Sequence, residues 1–181
     1  MNLSYVITEK DYLVYQLFVA SSIKKLKRKR IRRWLTFSSI YLIAGIILYF
    51  FTRQQDMGLV IIGLATLWLV IYPFYSRWIY KDRYKKYVRK HYSAGFDKTV
   101  SIAVEKGSIE LGDGENSTKF SCENITGIYT IRLYIFMELK SGGSIIIPKL
   151  KAESSAITEL LTYLVKNHQT PIIQNPNWKW K

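Results

Sequence analysis

Cysteine is almost missing from this chain: Cys122 is the only one among 181 residues. An intrachain disulfide is therefore excluded, and a reducing compartment suits the second half. Histidine is equally scarce. His91 and His168 lie far apart with no Cys/His companions, which argues against a zinc site. No stretch matches a P-loop, a dinucleotide fingerprint, a GxSxG elbow or an HExxH helix. Acids are few, 13 against 27 Lys+Arg, and Glu105, Glu110 and Glu138 read as solvated strand positions. On these grounds no residue is assigned as catalytic, metal-binding or cofactor-binding, and the expectation is a protein that is not an enzyme. Cys122, on a strand-like stretch, reads as a buried small hydrophobe rather than a reactive thiol.

Formal charge is missing from two further stretches, Trp34–Thr52 and Met57–Ser76, and these organise the chain. Each is about 20 residues, or about 30 Å as a helix, which matches the hydrocarbon thickness of a bilayer. The expectation is a transmembrane hairpin over 34–76, with spans at about 34–52 and 57–76. Neither span carries an ionisable residue, so a proton relay or ion pathway has no parts. Small residues four apart are absent, so GxxxG-type close contact is not expected. Tyr41 and Trp68 are expected to face the partner helix, and Pro73 interrupts the last inner turn. Trp34 at one boundary and Tyr72, Tyr75, Trp78 and Tyr80 at the other form an aromatic belt suited to headgroup depth.

Charge of one sign crowds both flanks. Lys24, Lys25, Lys27, Arg28, Lys29, Arg30, Arg32 and Arg33 precede the hairpin, and Arg77, Lys81 and Arg83 lead a second basic run behind it. The loop between the spans holds only Arg53 and Asp56, so both termini are expected in the cytoplasm. These cations are the candidate contacts for anionic lipid, at about 1 kcal/mol each near the surface. Aromatics interleave with the second run, a pattern also met in nucleic-acid binders, but no recognition motif accompanies it and nucleic acid is not expected as a partner.

Ahead of the hairpin, residues 1–33 read as a short strand, Leu3 to Ile7, and a helix from about Glu9 to Arg33 opened by a capping box at Thr8 and Asp11. The strand is too short to stand alone and is expected to join the C-terminal sheet. The helix carries an apolar stripe of Tyr12, Tyr15, Val19, Ile23 and Leu26. That stripe packs on the protein's own second domain or lies on the inner leaflet. Residues 77–96 read as a basic juxtamembrane helix.

From Asp97 the period changes to two, over five or six antiparallel strands as far as Pro148, with turns at Lys106-Gly107, Gly112-Asp113-Gly114 and Lys140–Gly143. Ile157, Leu160, Leu161, Leu164 and Val165 then make an amphipathic helix covering the sheet. The fold class is membrane α+β: a two-helix hairpin with a small cytoplasmic antiparallel β domain, residues 97–170, capped by that helix. Residues 171–181 read as a frayed tail ending Trp178-Lys179-Trp180-Lys181.

The basic helix, the two spans, Ser121-Cys122-Glu123-Asn124-Ile125 before paired strands and Ile145-Ile146-Ile147-Pro148-Lys149 before a final helix together resemble the YcxB-like bacterial membrane proteins. Ile147, Pro148 and Lys149 are taken as a family-like motif. The resemblance implies a pleckstrin-homology-like C-terminal domain in a bacterial cytoplasmic membrane, and no activity. From Asp97 onward acids and bases nearly balance, which suits a polypeptide partner better than a phosphorylated headgroup. The expected function is a membrane-anchored interaction module with an unknown protein or peptide partner, resting on a bilayer with anionic headgroups; a homo-oligomer stays open. The alternatives are an anionic-lipid or membrane-state sensor, and a membrane enzyme or permease component.

Overall fold

The computed structural model describes residues 2–52, 54–105, 107–113 and 116–180, the side chains of residues 24–27 and 30 excepted. The elements are β1 (Asn2–Val6), α1 (Glu9–Ser22), α2 (Lys24–Phe51), α3 (Gln55–Tyr92), β2 (Thr99–Glu105), β3 (Ser108–Gly112), β4 (Ser117–Ser121), β5 (Ile125–Ile131), β6 (Tyr134–Leu139), β7 (Ser144–Pro148), α4 (Ser154–His168) and β8 (Ile172–Asn175). They fall into two compact units, one of Met1–Gln16 with Lys86–Lys179 and one of Leu17–Lys85 with Trp180–Lys181.

The first unit is a β body of two four-stranded sheets, in the orders β1-β2-β3-β4 and β7-β6-β5-β8. Alternation explains its core. Leu3 and Tyr5 of β1, Ile102 and Val104 of β2, Ile109 of β3, Ile128 of β5, Ile135 and Met137 of β6, and Ile145 and Ile147 of β7 all point into one cluster. The α4 stripe adds Ala156, Ile157, Leu160 and Leu164 to it. Each fully buried Leu or Ile contributes about 1.5–3 kcal/mol. Strand β6 is buried on both faces, since Tyr134 and Phe136 are enclosed as well as Ile135 and Met137. On the outer face Tyr15 of α1 meets Phe136 at 5.4 Å and donates a hydrogen bond to the Ser144 hydroxyl at 2.9 Å. Gly142, at φ 86°, turns β6 into β7 with a conformation that side chains resist.

The N-terminal strand joins the sheet, with β1 antiparallel to β2 and Val6 opposite Thr99. The ladder continues one step further: Ile7 N–H donates to Lys98 O at 3.2 Å, and Asp97 N–H donates to Ile7 O at 2.8 Å. Residues 7–98, and the whole helical hairpin with them, are therefore an insertion between two adjacent strands of one sheet.

Several expectations need correction. The helix expected from Glu9 to Arg33 is broken at Ile23, whose ψ of 98° is extended. The Ser21 and Ser22 hydroxyls both bond the Phe18 carbonyl, offering the backbone an alternative to the helix. The basic segment therefore opens α2 and runs on into the first apolar run without interruption. The buried face of α1 follows Asp11, Leu13, Leu17 and Phe18; Tyr12 and Tyr15 are half-buried and Ile23 is exposed. Leu26 lies outside the described side chains. Cys122 belongs to a 3-10 turn after β4, not to a strand, and it is fully buried. Among the described residues six strands, β2 to β7, lie between Thr99 and Pro148, within the five or six expected, and β1 makes a seventh. The eighth comes from the tail, which pairs β8 in parallel with β5 instead of fraying. Arg53, Lys106 and Gly114, assigned above to the three loops, lie outside the described residues.

The second unit holds the hairpin. Its buried positions keep a 4-3 spacing: Ser38, Leu42, Gly45 and Tyr49 on α2, and Gly58, Ile62, Ala65, Leu69, Tyr72 and Ser76 on α3, are buried or half-buried. Small residues recur at seven, not four, and let the backbones meet. A Cβ placed on Gly58 would lie 2.7 Å from the Tyr49 backbone nitrogen. Tyr41 and Trp68, expected to face the partner helix, are exposed instead. Each stands one position off this seam, and one residue turns a helical side chain by about 100°, away from the partner helix.

Candidate membrane and partner interfaces

Two segments of the hairpin helices, Ile31–Phe51 and Gln55–Gly95, are long and apolar enough to cross a membrane. The most apolar stretch of each is only 11% buried. Core helices of soluble proteins are mostly covered, whereas these helices leave long apolar surfaces open.

The aromatic belt is partly assembled by side-chain contacts. Trp34 stacks on Tyr72 with centroids 6.4 Å apart and planes 4° apart. Tyr72 and Tyr75 meet Trp68 at 5.5 and 6.3 Å. Tyr80 lies under the Arg83 guanidinium at 5.8 Å, while Trp78 points outward, 69% exposed. The tail also contributes: Trp180 packs edge-on against Tyr84 and donates its indole N–H to the Arg77 carbonyl at 3.4 Å. Arg28, Lys29, Arg32 and Arg33 are exposed on α2, as are Arg77, Lys81 and Arg83 on α3. The side chains of Lys24, Lys25, Lys27 and Arg30 lie outside the described ones. Arg28 and Arg32 head a groove of about 590 Å³ that continues past Leu35, Thr36 and Ser39 to Ile43. The groove thus joins a cationic end to an apolar trough.

In the β body the motif residues are structural. Ile147 is fully buried, and Pro148 ends β7 opposite Tyr134. Lys149 turns its ammonium back onto the Ile131 carbonyl at 2.8 Å, and burial lowers its pKa. Nearby lies a polar cluster that sequence reasoning missed. Asp11, 2% exposed, accepts from the Thr8 N–H, the Thr8 hydroxyl and the Lys151 ammonium at 2.7, 2.8 and 2.6 Å through Oδ2. Its Oδ1 accepts from the Tyr134 hydroxyl at 2.9 Å. Burial works to raise the Asp11 pKa, but the hydrogen bonds from Lys151, Thr8 and Tyr134 outweigh it and hold the carboxyl below its ordinary value. Burial and the bond to Asp11 push the Tyr134 phenol up. The capping-box spacing signalled Asp11 as a helix cap; nothing local signalled Lys151 or Tyr134. Burial also raises the Cys122 thiol, which makes it a poor nucleophile. Among the described residues, no group of three His, Cys, Asp or Glu side chains could hold a metal ion.

Eight strands in two sheets with one helix packed over them define the body, and the sequence profile of the PH domain matches residues 23–160. The chain belongs to the PH domain family. No curated protein and no solved structure matches it. The matched stretch takes in the hairpin and most of the PH body, while β1, all of α1, the end of α4 and β8 lie outside it. In this PH domain protein the helical insertion therefore sits inside the family's own span.

Proposed function

We propose that this protein is a membrane-anchored, non-enzymatic interaction module of the YcxB-like kind, with its PH domain serving a protein or peptide partner on the cytoplasmic side. The observation that carries the reading is the insertion point. An exposed apolar hairpin leaves the sheet after Val6 and returns at Thr99, its neighbour across the ladder, so any membrane crossing is made twice and both termini stay together. The basic flanks set the direction, cytoplasm for the termini and outside for the loop. The near balance of acids and bases from Asp97 onward favours a polypeptide partner for the domain, with anionic lipid met by the flanks.

Thiol labelling tests this topology. A Gln55→Cys chain in intact cells should react with a membrane-impermeant maleimide, whereas Cys122 should react only after permeabilisation and unfolding. Labelling of position 55 from the cytoplasmic side alone would overturn the two-span assignment. The Arg28–Ile43 groove favours a second reading, a sensor of anionic lipid. Under it, Arg28→Gln/Arg32→Gln should abolish selectivity for anionic over zwitterionic vesicles. On the module reading the same change only weakens a salt-dependent, unselective attraction.

A further inference from the structure

Strand β5 has two neighbours, β6 antiparallel and β8 parallel. Strand β8 differs from every other strand of the PH body. Its four residues are all exposed, Ile172 at 36% and Ile173 at 42%, so little apolar burial holds it. It supplies the one parallel pairing among the described strands, and parallel ladders are the weaker kind. Pro171 and Pro176 flank it and prevent the ladder from lengthening. The fit is also incomplete. Thr130 of β5 stands opposite Gln174, yet its hydroxyl is enclosed with no hydrogen-bond partner. A buried hydroxyl left unpaired is a standing penalty that a better-fitting strand would remove. Finally, β8 lies outside the residues that the family profile matches.

A strand with few buried contacts opens readily. When β8 leaves, β5 becomes an edge whose N–H and C=O groups accept another extended segment. We propose that the β5 edge is a strand-addition site for an extended peptide of a partner protein, and that β8 is its occupant in cis, displaced on binding. This rests on the interaction-module reading and names its surface. The peptide would present aliphatic residues where Ile172 and Ile173 lie, followed by a hydroxyl or amide side chain able to reach Thr130.

The test compares the full chain with one ending at Thr170, both in detergent micelles, using a fluorescent peptide of residues 170–178 as probe. The shortened chain should bind it saturably and at least about tenfold more tightly than the intact chain, whose own tail competes at high effective concentration. Hydrogen exchange on the intact chain gives a second readout that needs no truncation: β8 amides should exchange at least about tenfold faster than those of β6. Equal binding by both chains, no binding by either, or β8 amides as protected as those of β6 would overturn the proposal. Dimers of the intact chain held by exchanged β8 strands would overturn the partner assignment in favour of a second copy. None of these results depends on the labelling of position 55, so the topology stands or falls separately.

Discussion

The hairpin and the PH body use the same apolar residue types in opposite ways. In the body, Ile, Leu and Val alternate along strands and end in a common interior, with Ile109, Ile128, Ile147, Leu160 and Leu164 fully buried. In the hairpin, Phe50, Phe51, Val60, Leu64 and Val70 face outward, and the interior of the pair is made of Ser38, Gly45, Gly58 and Ala65. Water drives the first arrangement, because removing apolar area from it is favourable. If the hairpin lies in hydrocarbon, as proposed above, that drive is absent there and close backbone approach through small residues takes its place. Substitutions should therefore act by different rules in the two regions.

In the body, loss of volume should be the severe change. Leu160→Ala removes a fully buried side chain from the cluster where α4 meets both sheets, and should cost about 2–5 kcal/mol. Denaturation followed by a probe in the PH body would register it. A loss below about 1 kcal/mol would mean that this interior is loosely packed.

The Asp11 cluster comes next. Asp11→Asn removes the charge that Lys151 and Tyr134 share, and should cost about 1.5–3 kcal/mol, limited because Lys151 can still reach water. The pH dependence follows from the direction of the shift. The folded carboxyl lies below the ordinary 3.8, so its contribution is complete above about pH 4 and fades as pH falls through 3.8 towards the folded value. Wild type should lose stability over that window, and Asp11→Asn should flatten the loss. An unchanged acid limb in the variant would assign the loss to other carboxylates.

Features that rest on a period were legible in the sequence, and features that rest on a single long-range contact were not. The charge-free runs, the alternation of β2 and β3, the unbroken apolar runs of β6 and β7, and the α4 stripe each repeat a signal over several residues. That β1 joins the sheet was readable because Leu3, Tyr5 and Ile7 alternate like the strands they join; its partner, β2, was not. Strand β8 had no such signal: all four of its residues are exposed, so only backbone pairing defines it. The break at Ile23 is a single extended residue, and it interrupts no apolar pattern that would mark it. Asp11 and Lys151 stand 140 residues apart, and no periodicity links them. The hairpin seam was legible in principle, but at a spacing of seven rather than four.

That seam provides a sharper contrast inside the hairpin itself. Gly58→Ala would bring a methyl to 2.7 Å from a backbone nitrogen, which cannot rotate away, so the helices must part at an expected cost of about 1–3 kcal/mol. Gly45→Ala should cost somewhat less: it meets Ile62 Cγ1 at 2.7 Å, but its nearest backbone atoms, the Ile62 nitrogen and the Gly58 carbonyl oxygen, lie at 3.1 and 3.2 Å, so the helices need part by less. Thermal unfolding of the hairpin in detergent, followed by its tryptophan emission, would rank the two.

Gly63 stands on the same helix as Gly58 but away from the seam, and a Cβ there meets nothing within 4 Å. Gly63→Ala therefore introduces no clash. It removes some conformational freedom from the unfolded chain and should leave stability unchanged or raise it by up to about 1 kcal/mol. The pair of alanine variants shares chemistry, helix and surroundings, and differs only in the face of α3 that is filled. If Gly63→Ala proves as damaging as Gly58→Ala, the outward face of α3 is itself packed against something, either further helices of this kind or a second copy of the chain. If Gly63→Ala is neutral and Gly58→Ala is not, the close contact runs along the Gly58–Ala65–Tyr72 face, and lipid is a sufficient covering for the other.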